Sequence, residues 1–238
     1  MKSPTLTLDE WATVDRLAQL LSKHVVPICR DDDQGRPEQM GSGLLVAGPD
    51  RSHLISAAHV FNENGPLFFH TAPGTKRWLK EPVSFHSDDR IDLGILELKL
   101  APPPYPAVEK YALSIDALQR AATPRRRKQY LIMGFPSSQS DVSRERREFS
   151  TTVRPNLCIS ADAKRYDKLR RSPDDHIVLD FNVRRVYGPK GRHAFPDPHG
   201  MSGSPVWLMW DCEGSNSPLY TPVVGILIEH CRPQTLVS

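Results

Sequence analysis

The chain has 238 residues, 22 of them Pro, and 31 Lys and Arg against 28 Asp and Glu give it a net charge of +3. Proline well above the usual level of about 5 % excludes an all-α bundle, because each ring removes a backbone donor and clashes with the preceding helical turn. No apolar stretch approaches the roughly 18 residues that span a bilayer, and the most apolar run, 223–228, has the length of a buried strand.

Asp9 and Glu10 stand where a secretory signal carries an unbroken apolar segment, so the chain reads as cytoplasmic. Cys29, Cys158, Cys212 and Cys231 form no CxxC pair, which argues against a zinc knuckle or a disulfide-dense secreted scaffold. They read as buried or free thiols, and neither a metal nor another cofactor is expected.

In chain order, residues 7–24 read as an amphipathic helix: Thr7 with Glu10 makes a capping box, Trp11, Val14, Leu17, Ala18 and Leu21 recur at helical spacing, and Pro27 ends the run. Beyond it come short β-prone runs separated by Gly, Pro, Asn and Asp. They lie at 25–29, 43–47, 53–56, 67–71, 78–85, 93–98, 130–135, 149–153, 157–160, 177–182, 205–210 and 220–228, with a last short strand at 234–237. So many short strands suit two small antiparallel barrels better than one sheet. The run Pro102, Pro103, Pro104, Tyr105, Pro106 is stiff and cannot join a central strand, so it is the linker. The predicted class is all-β, with two packed antiparallel β-barrels: a helix over 1–24, a first barrel over 25–101, a linker at 102–106 and a second barrel over 107–238.

Three short motifs carry chemistry. Ser56-Ala57-Ala58-His59 follows Gly41-Ser42-Gly43-Leu44-Leu45-Val46; Asp92-Leu93-Gly94-Ile95-Leu96 comes next; Gly200-Met201-Ser202-Gly203-Ser204-Pro205-Val206 comes last. Singly each reads as a structural His, a turn Asp and a glycine loop. Together they supply acyl transfer: a serine hydroxyl is a poor nucleophile until a neutral imidazole accepts its proton, and the imidazole needs an acceptor on its other nitrogen. His59, Asp92 and Ser202 are that set, and Gly200 lets its own N–H and that of Ser202 converge as an oxyanion hole. Asp88 and Asp89 are rivals to Asp92, which alone directly precedes the alternating strand; Ser204 is the rival to Ser202 and reads as a small turn residue.

In the order His, Asp, Ser, the AAH, DLGIL and GMSGSPV motifs resemble the chymotrypsin-like (trypsin-like) serine peptidase superfamily. The GSGLLV and IMGFP segments are most similar to bacterial HtrA-like trypsin-like peptidase domains, without a PDZ module. The resemblance spans about residues 25 to 230. It implies a double β-barrel with the site in the cleft between barrels, His59 as general base then acid, Asp92 as orienting carboxylate, Ser202 as nucleophile, and Gly200 with Ser202 as oxyanion donors. Met201 stands where secreted digestive members carry an Asp that pairs with a new N-terminus, and Val60 stands where they carry a Cys. Both differences fit an intracellular form. The expected activity is that of a serine endopeptidase acting on protein substrates through an acyl-enzyme; the alternative is an idle trypsin-like fold that serves as a binding or sensor module.

For specificity, an acidic pocket floor at Asp197, beside Pro196, would favour a cationic side chain, unless Asp197 is a solvated turn residue. Gly225, Ile226 and Leu227 would instead offer an apolar wall. Residues 120–171 hold 14 Lys and Arg against 5 Asp and Glu, a local +9 that leaves −6 for the rest of the chain. This stretch reads either as a solvated surface insert or as a docking surface for an acidic partner or nucleic acid.

Overall fold

The computed structural model describes residues 6–62, 65–70, 76–79, 85–98, 111–118, 128–142, 149–181, 186–188, 191–211, 222–231 and 235–237. The predicted linker 102–106, Cys212, and the cations Arg125, Arg126, Arg127, Arg144, Arg146 and Arg147 lie outside them. Among the described residues no helix is long and apolar enough to cross a membrane.

The chain opens with α1 (Leu8–Ser22), capped as its sequence predicts: Thr7 accepts from the Glu10 N–H at 3.3 Å while its own N–H donates to the Glu10 carboxylate at 2.7 Å. The helix stops two residues earlier than expected, and Pro27 lies inside the next strand. That position is tolerated because β4 (Leu67–His70) pairs with β1 (Val25–Asp31) only over Ile28 to Arg30, leaving Pro27 beside one neighbour.

Two curled antiparallel sheets, each a half-barrel, make the body of the protein. The first adds β2 (Pro37–Ala47), β3 (Ser52–Ala57), β5 (Lys76–Trp78), β6 (Phe85–Asp88) and β7 (Leu93–Leu98) in the order β5-β4-β1-β2-β3-β7-β6, with β8 (Leu113–Ser114) pairing in parallel to β2. The single strand expected over 78–85 is therefore two pieces, β5 ending at Trp78 and β6 beginning at Phe85. A short helix, α2 (Ala58–Phe61), follows β3 directly.

Carried by the second half of the chain, the other main sheet contains β9 (Lys128–Gly134), β12 (Arg154–Ser160), β13 (Val178–Asp180), β16 (Pro205–Asp211), β17 (Val223–Ile226), β18 (Glu229–Cys231) and β19 (Thr235–Val237), ordered β17-β16-β9-β12-β13-β19-β18. Two separate two-stranded sheets complete the described strands: β10 (Asp141–Val142) with β11 (Phe149–Ser150), and β14 (Val186–Gly188) with β15 (Gly191–His193). The basic stretch is thus not an appended insert where it is described, since it supplies β9 and β12 of the main sheet. It also holds α3 (Ala163–Leu169), a helix its charge pattern concealed. Asp162 caps α3, and its one buried side chain, Tyr166, accepts from the Val178 N–H at 2.9 Å. Some of the stretch's cations are already paired, Arg171 with Glu229 at 2.6 Å and Arg165 with Asp180 at 3.9 Å.

Period-2 alternation explains the packing. On β2, Leu44 and Val46 face a cluster shared with Leu131, Met133 and Trp207 of the second sheet, while Leu45 faces the first barrel's interior with Val26, Ile28 and Leu54. On β9, Leu131 and Met133 face the shared seam, whereas Tyr130 and Ile132 face the second interior with Leu179, Phe181 and Val206. Val14 and Ala18 of α1 are buried in the seam as well, so the helix closes the junction of the two sheets.

Burial lowers the pKa of His24, His70 and His176 below the ordinary 6.5, since desolvation disfavours the charged ring. The unfolded chain then binds protons that the folded one resists. The stability these three groups contribute is therefore complete above about pH 6.5 and is lost as pH falls below it, levelling off under the lowered folded values. Thermal melts from about pH 7.5 down to about pH 5 are expected to show a falling midpoint; a midpoint that rises with acid would contradict the burial.

Candidate active site

The three motifs meet at the mouth of the seam. β3 runs into α2, placing His59 one residue into that helix, and β3 pairs with β7 so that Ala57 lies opposite Leu93. Asp92, immediately before β7, is thereby beside His59. The Ala58 N–H donates to the Asp92 carbonyl at 2.9 Å and the His59 N–H donates to Asp92 Oδ1 at 2.9 Å. His59 Nδ1 lies 2.6 Å from Asp92 Oδ2.

A carboxylate accepts only, so this contact puts the ring proton on Nδ1 and leaves Nε2 as the acceptor. Asp92 holds the pose at a backbone cost, with φ 53° in the left-handed region that Asp tolerates better than most residues. Gly94 has a packing reason: a Cβ there would lie 2.6 Å from the Phe61 ring. Neither Asp88 nor Asp89 bonds to His59. The Asp88 carboxylate accepts from the Arg90 N–H at 3.0 Å, and Asp89 is exposed on the cleft rim.

Ser202 is the second residue of the latter of two consecutive tight turns that share Met201. Met201 N–H donates to Pro198 O and Ser204 N–H to Met201 O, both at 2.9 Å. The third residue of each turn is glycine with positive φ, Gly200 at 85° and Gly203 at 88°, as a type II turn demands. A Cβ on Gly203 would collide with the Ser42 carbonyl and the Ser56 hydroxyl. Gly41 is small for the same kind of reason, a Cβ there falling 2.9 Å from the Ser202 carbonyl.

The amides of this segment are unequally used. His199 N–H donates to Asp197 Oδ1 at 3.1 Å, Gly203 N–H to Leu227 O at 2.7 Å, and Met201 and Ser204 as above. Among the described residues, the N–H groups of Gly200 and Ser202 donate to nothing. Ser204 is fully buried behind the turn, with its hydroxyl against Met201 Sδ at 4.0 Å, whereas Ser202 opens onto the cleft.

That cleft has a volume of about 480 Å³ and is lined by His59, Asp89, Arg90, Asp92, Arg171, Ser202, Ile228 and Glu229. His59 and Ser202 share it, but no hydrogen bond joins the ring to the Ser202 hydroxyl. Ion pairs tie its walls, Arg171 to Glu229 at 2.6 Å and Arg90 to Asp175 at 2.8 Å, the latter linking the loop before Asp92 to the second half of the chain.

The residues expected to set specificity are not in this lining. The Asp197 carboxylate is exposed and accepts from the His199 N–H, the behaviour of a turn residue. Ile226 and Leu227 are buried in the seam and the second interior, and Gly225 is paired with Val206 inside the sheet. Arg90, Arg171, Ile228 and Glu229 line the cleft instead; Arg90 and Arg171 carried no sequence signal because they lie in connecting segments far apart along the chain. Compared with models of known protein families and with curated proteins, the chain matches none.

Proposed function

We propose that this protein is a serine hydrolase that cleaves peptide bonds in protein substrates through an acyl-enzyme. The observation that carries the reading is the pair of unengaged amides at Gly200 and Ser202. Buried amides are nearly always satisfied, and the two left over here belong to the half-buried candidate nucleophile and to the buried glycine two before it, near an imidazole already oriented by a carboxylate.

In the proposed reaction His59 Nε2 takes the Ser202 proton as Oγ attacks the substrate carbonyl carbon. The carbonyl oxygen becomes an oxyanion and accepts hydrogen bonds from the two amides, each worth roughly 3 to 4 kcal/mol in the transition state. Imidazolium, steadied by Asp92, then protonates the leaving amine as the C–N bond breaks. Water, deprotonated by His59, releases the acyl group and restores the serine.

The missing His59–Ser202 hydrogen bond favours the second reading, an idle fold used for binding, although resting sites often tighten only around substrate. A fluorophosphonate probe separates the two. The wild-type protein is expected to be labelled, Ser202→Ala to lose all labelling, and Ser204→Ala to keep it. An unlabelled wild type would sink the hydrolase, and labelling that survives Ser202→Ala would move the nucleophile elsewhere.

A further inference from the structure

We propose that Gln39 and Ser42 of β2 are positioning residues that fix the Gly200–Met201 peptide, which lies between the two peptides whose amides are free, and so hold the turn in one conformation in the resting fold; this rests on the hydrolase reading above. Gly200 is the weak point of such a site. A glycine at φ 85° crosses to other backbone basins with little steric resistance, so the direction of its N–H must be imposed from outside.

The peptides on both sides of Gly200 are held. His199 O accepts from the Ser137 N–H at 2.8 Å, and because a trans peptide sets its C=O and N–H in opposite directions, the Gly200 N–H points away from the segment that holds His199. On the other side Gly200 O accepts from Ser42 Oγ at 2.9 Å and lies 3.4 Å from Gln39 Nε2.

Both side chains are buried, Ser42 at 0 % and Gln39 at 5 % exposure, and both have their polar capacity committed. The Ser42 hydroxyl accepts from the Phe135 N–H at 3.0 Å while donating to Gly200 O. Gln39 Nε2 also donates to Phe135 O, and Ser140 donates to Gln39 Oε1. Two carbonyls at one end of the Gln39 amide require that end to be the NH₂ group, so its orientation is determined by its partners. Ser42 N–H donates to Ser202 O at 2.7 Å, and Ser56 Oγ donates to Ser42 O at 2.7 Å. One residue of the first sheet therefore grips both amide-bearing residues of the turn, and the GSG motif, which lies inside β2, has a use beyond sheet pairing.

The test combines kinetics with structure. For Ser42→Ala and for Gln39→Met, kcat on an activated ester such as p-nitrophenyl acetate and the rate of fluorophosphonate labelling are expected to fall about 10- to 100-fold, with KM changed less than about 3-fold, because a misdirected donor weakens the transition state rather than substrate binding. Ser42→Thr, which keeps a hydroxyl, is expected to recover most of the loss. A crystal structure of the Ser42→Ala, Gln39→Met double variant is expected to show the Gly200–Met201 peptide turned and the free amides on either side of it displaced. Variants that merely melt earlier with kcat intact, or a double variant with the Gly200–Met201 peptide unmoved, would overturn the proposal. A wild type that neither labels nor hydrolyses the ester would overturn the hydrolase reading instead, and the crystallographic comparison would still decide the positioning role.

Discussion

Asp92→Asn is expected to lower kcat for ester and peptide hydrolysis by about 10³- to 10⁴-fold while leaving KM and the melting temperature nearly unchanged. The fold survives because Asn accepts the left-handed φ of 53° as readily as Asp, and its carbonyl oxygen can still receive the His59 N–H. The chemistry does not survive. An amide NH₂ facing His59 Nδ1 donates where the carboxylate accepted, which drives the ring proton to Nε2, the nitrogen that accepts from Ser202 in the proposed reaction. The imidazolium also loses its counter-charge. Steady-state kinetics with a thermal melt of the same sample check both halves. A loss of activity accompanied by unfolding would show Asp92 to be structural, and full activity would remove it from the reaction.

Gly203→Ala is expected to be the most destabilising single methyl on the candidate turn, costing about 2 to 6 kcal/mol from backbone strain at positive φ and collision with its neighbours together. The atoms in the way are the Ser42 carbonyl and the Ser56 hydroxyl, and a carbonyl bound into β2 cannot swing aside. Gly35 provides the control, because its φ is also positive, at 71°, but a Cβ there meets nothing within 4 Å. Gly35→Ala should cost only the conformational part, about 1 to 2 kcal/mol. Denaturant unfolding of the two variants measures the difference. Equal effects would mean that the close approach of the turn to β2 contributes nothing beyond strain.

Much of the fold was legible in the sequence, and for identifiable reasons. The capping box of α1 is a local contact, complete within four residues, so Thr7 and Glu10 announce it. β1, β3 and β7 were found nearly to their ends, since their apolar runs are bounded by turn residues. α3 was missed because its helical face buries only Tyr166, too little to produce a 3.6-residue pattern among so many charges. The break between β5 and β6 was missed because apolar residues at 78 and 85 look continuous along the chain although they pair with different strands, Trp78 with β4 and Phe85 with β7.

What the sequence determined by itself was the chemistry of the parts: which side chains can exchange protons, which glycines permit a double turn, and which elements are strands. Choosing Asp92 over Asp88 and Asp89 was also within its reach, because a residue abutting a strand inherits that strand's fixed geometry. Only the tertiary structure decided what meets what. The 143 residues from His59 to Ser202 close into one cleft through sheet pairing, and no local signal encodes such closure. The same holds for the faces of β2 and β9, where alternate residues enter different cores, and for Gln39 and Ser42, whose side-chain partners lie between 93 and 161 residues away. Asp197 follows the same physics: its carboxylate accepts from the His199 N–H two residues on and does not line the cleft.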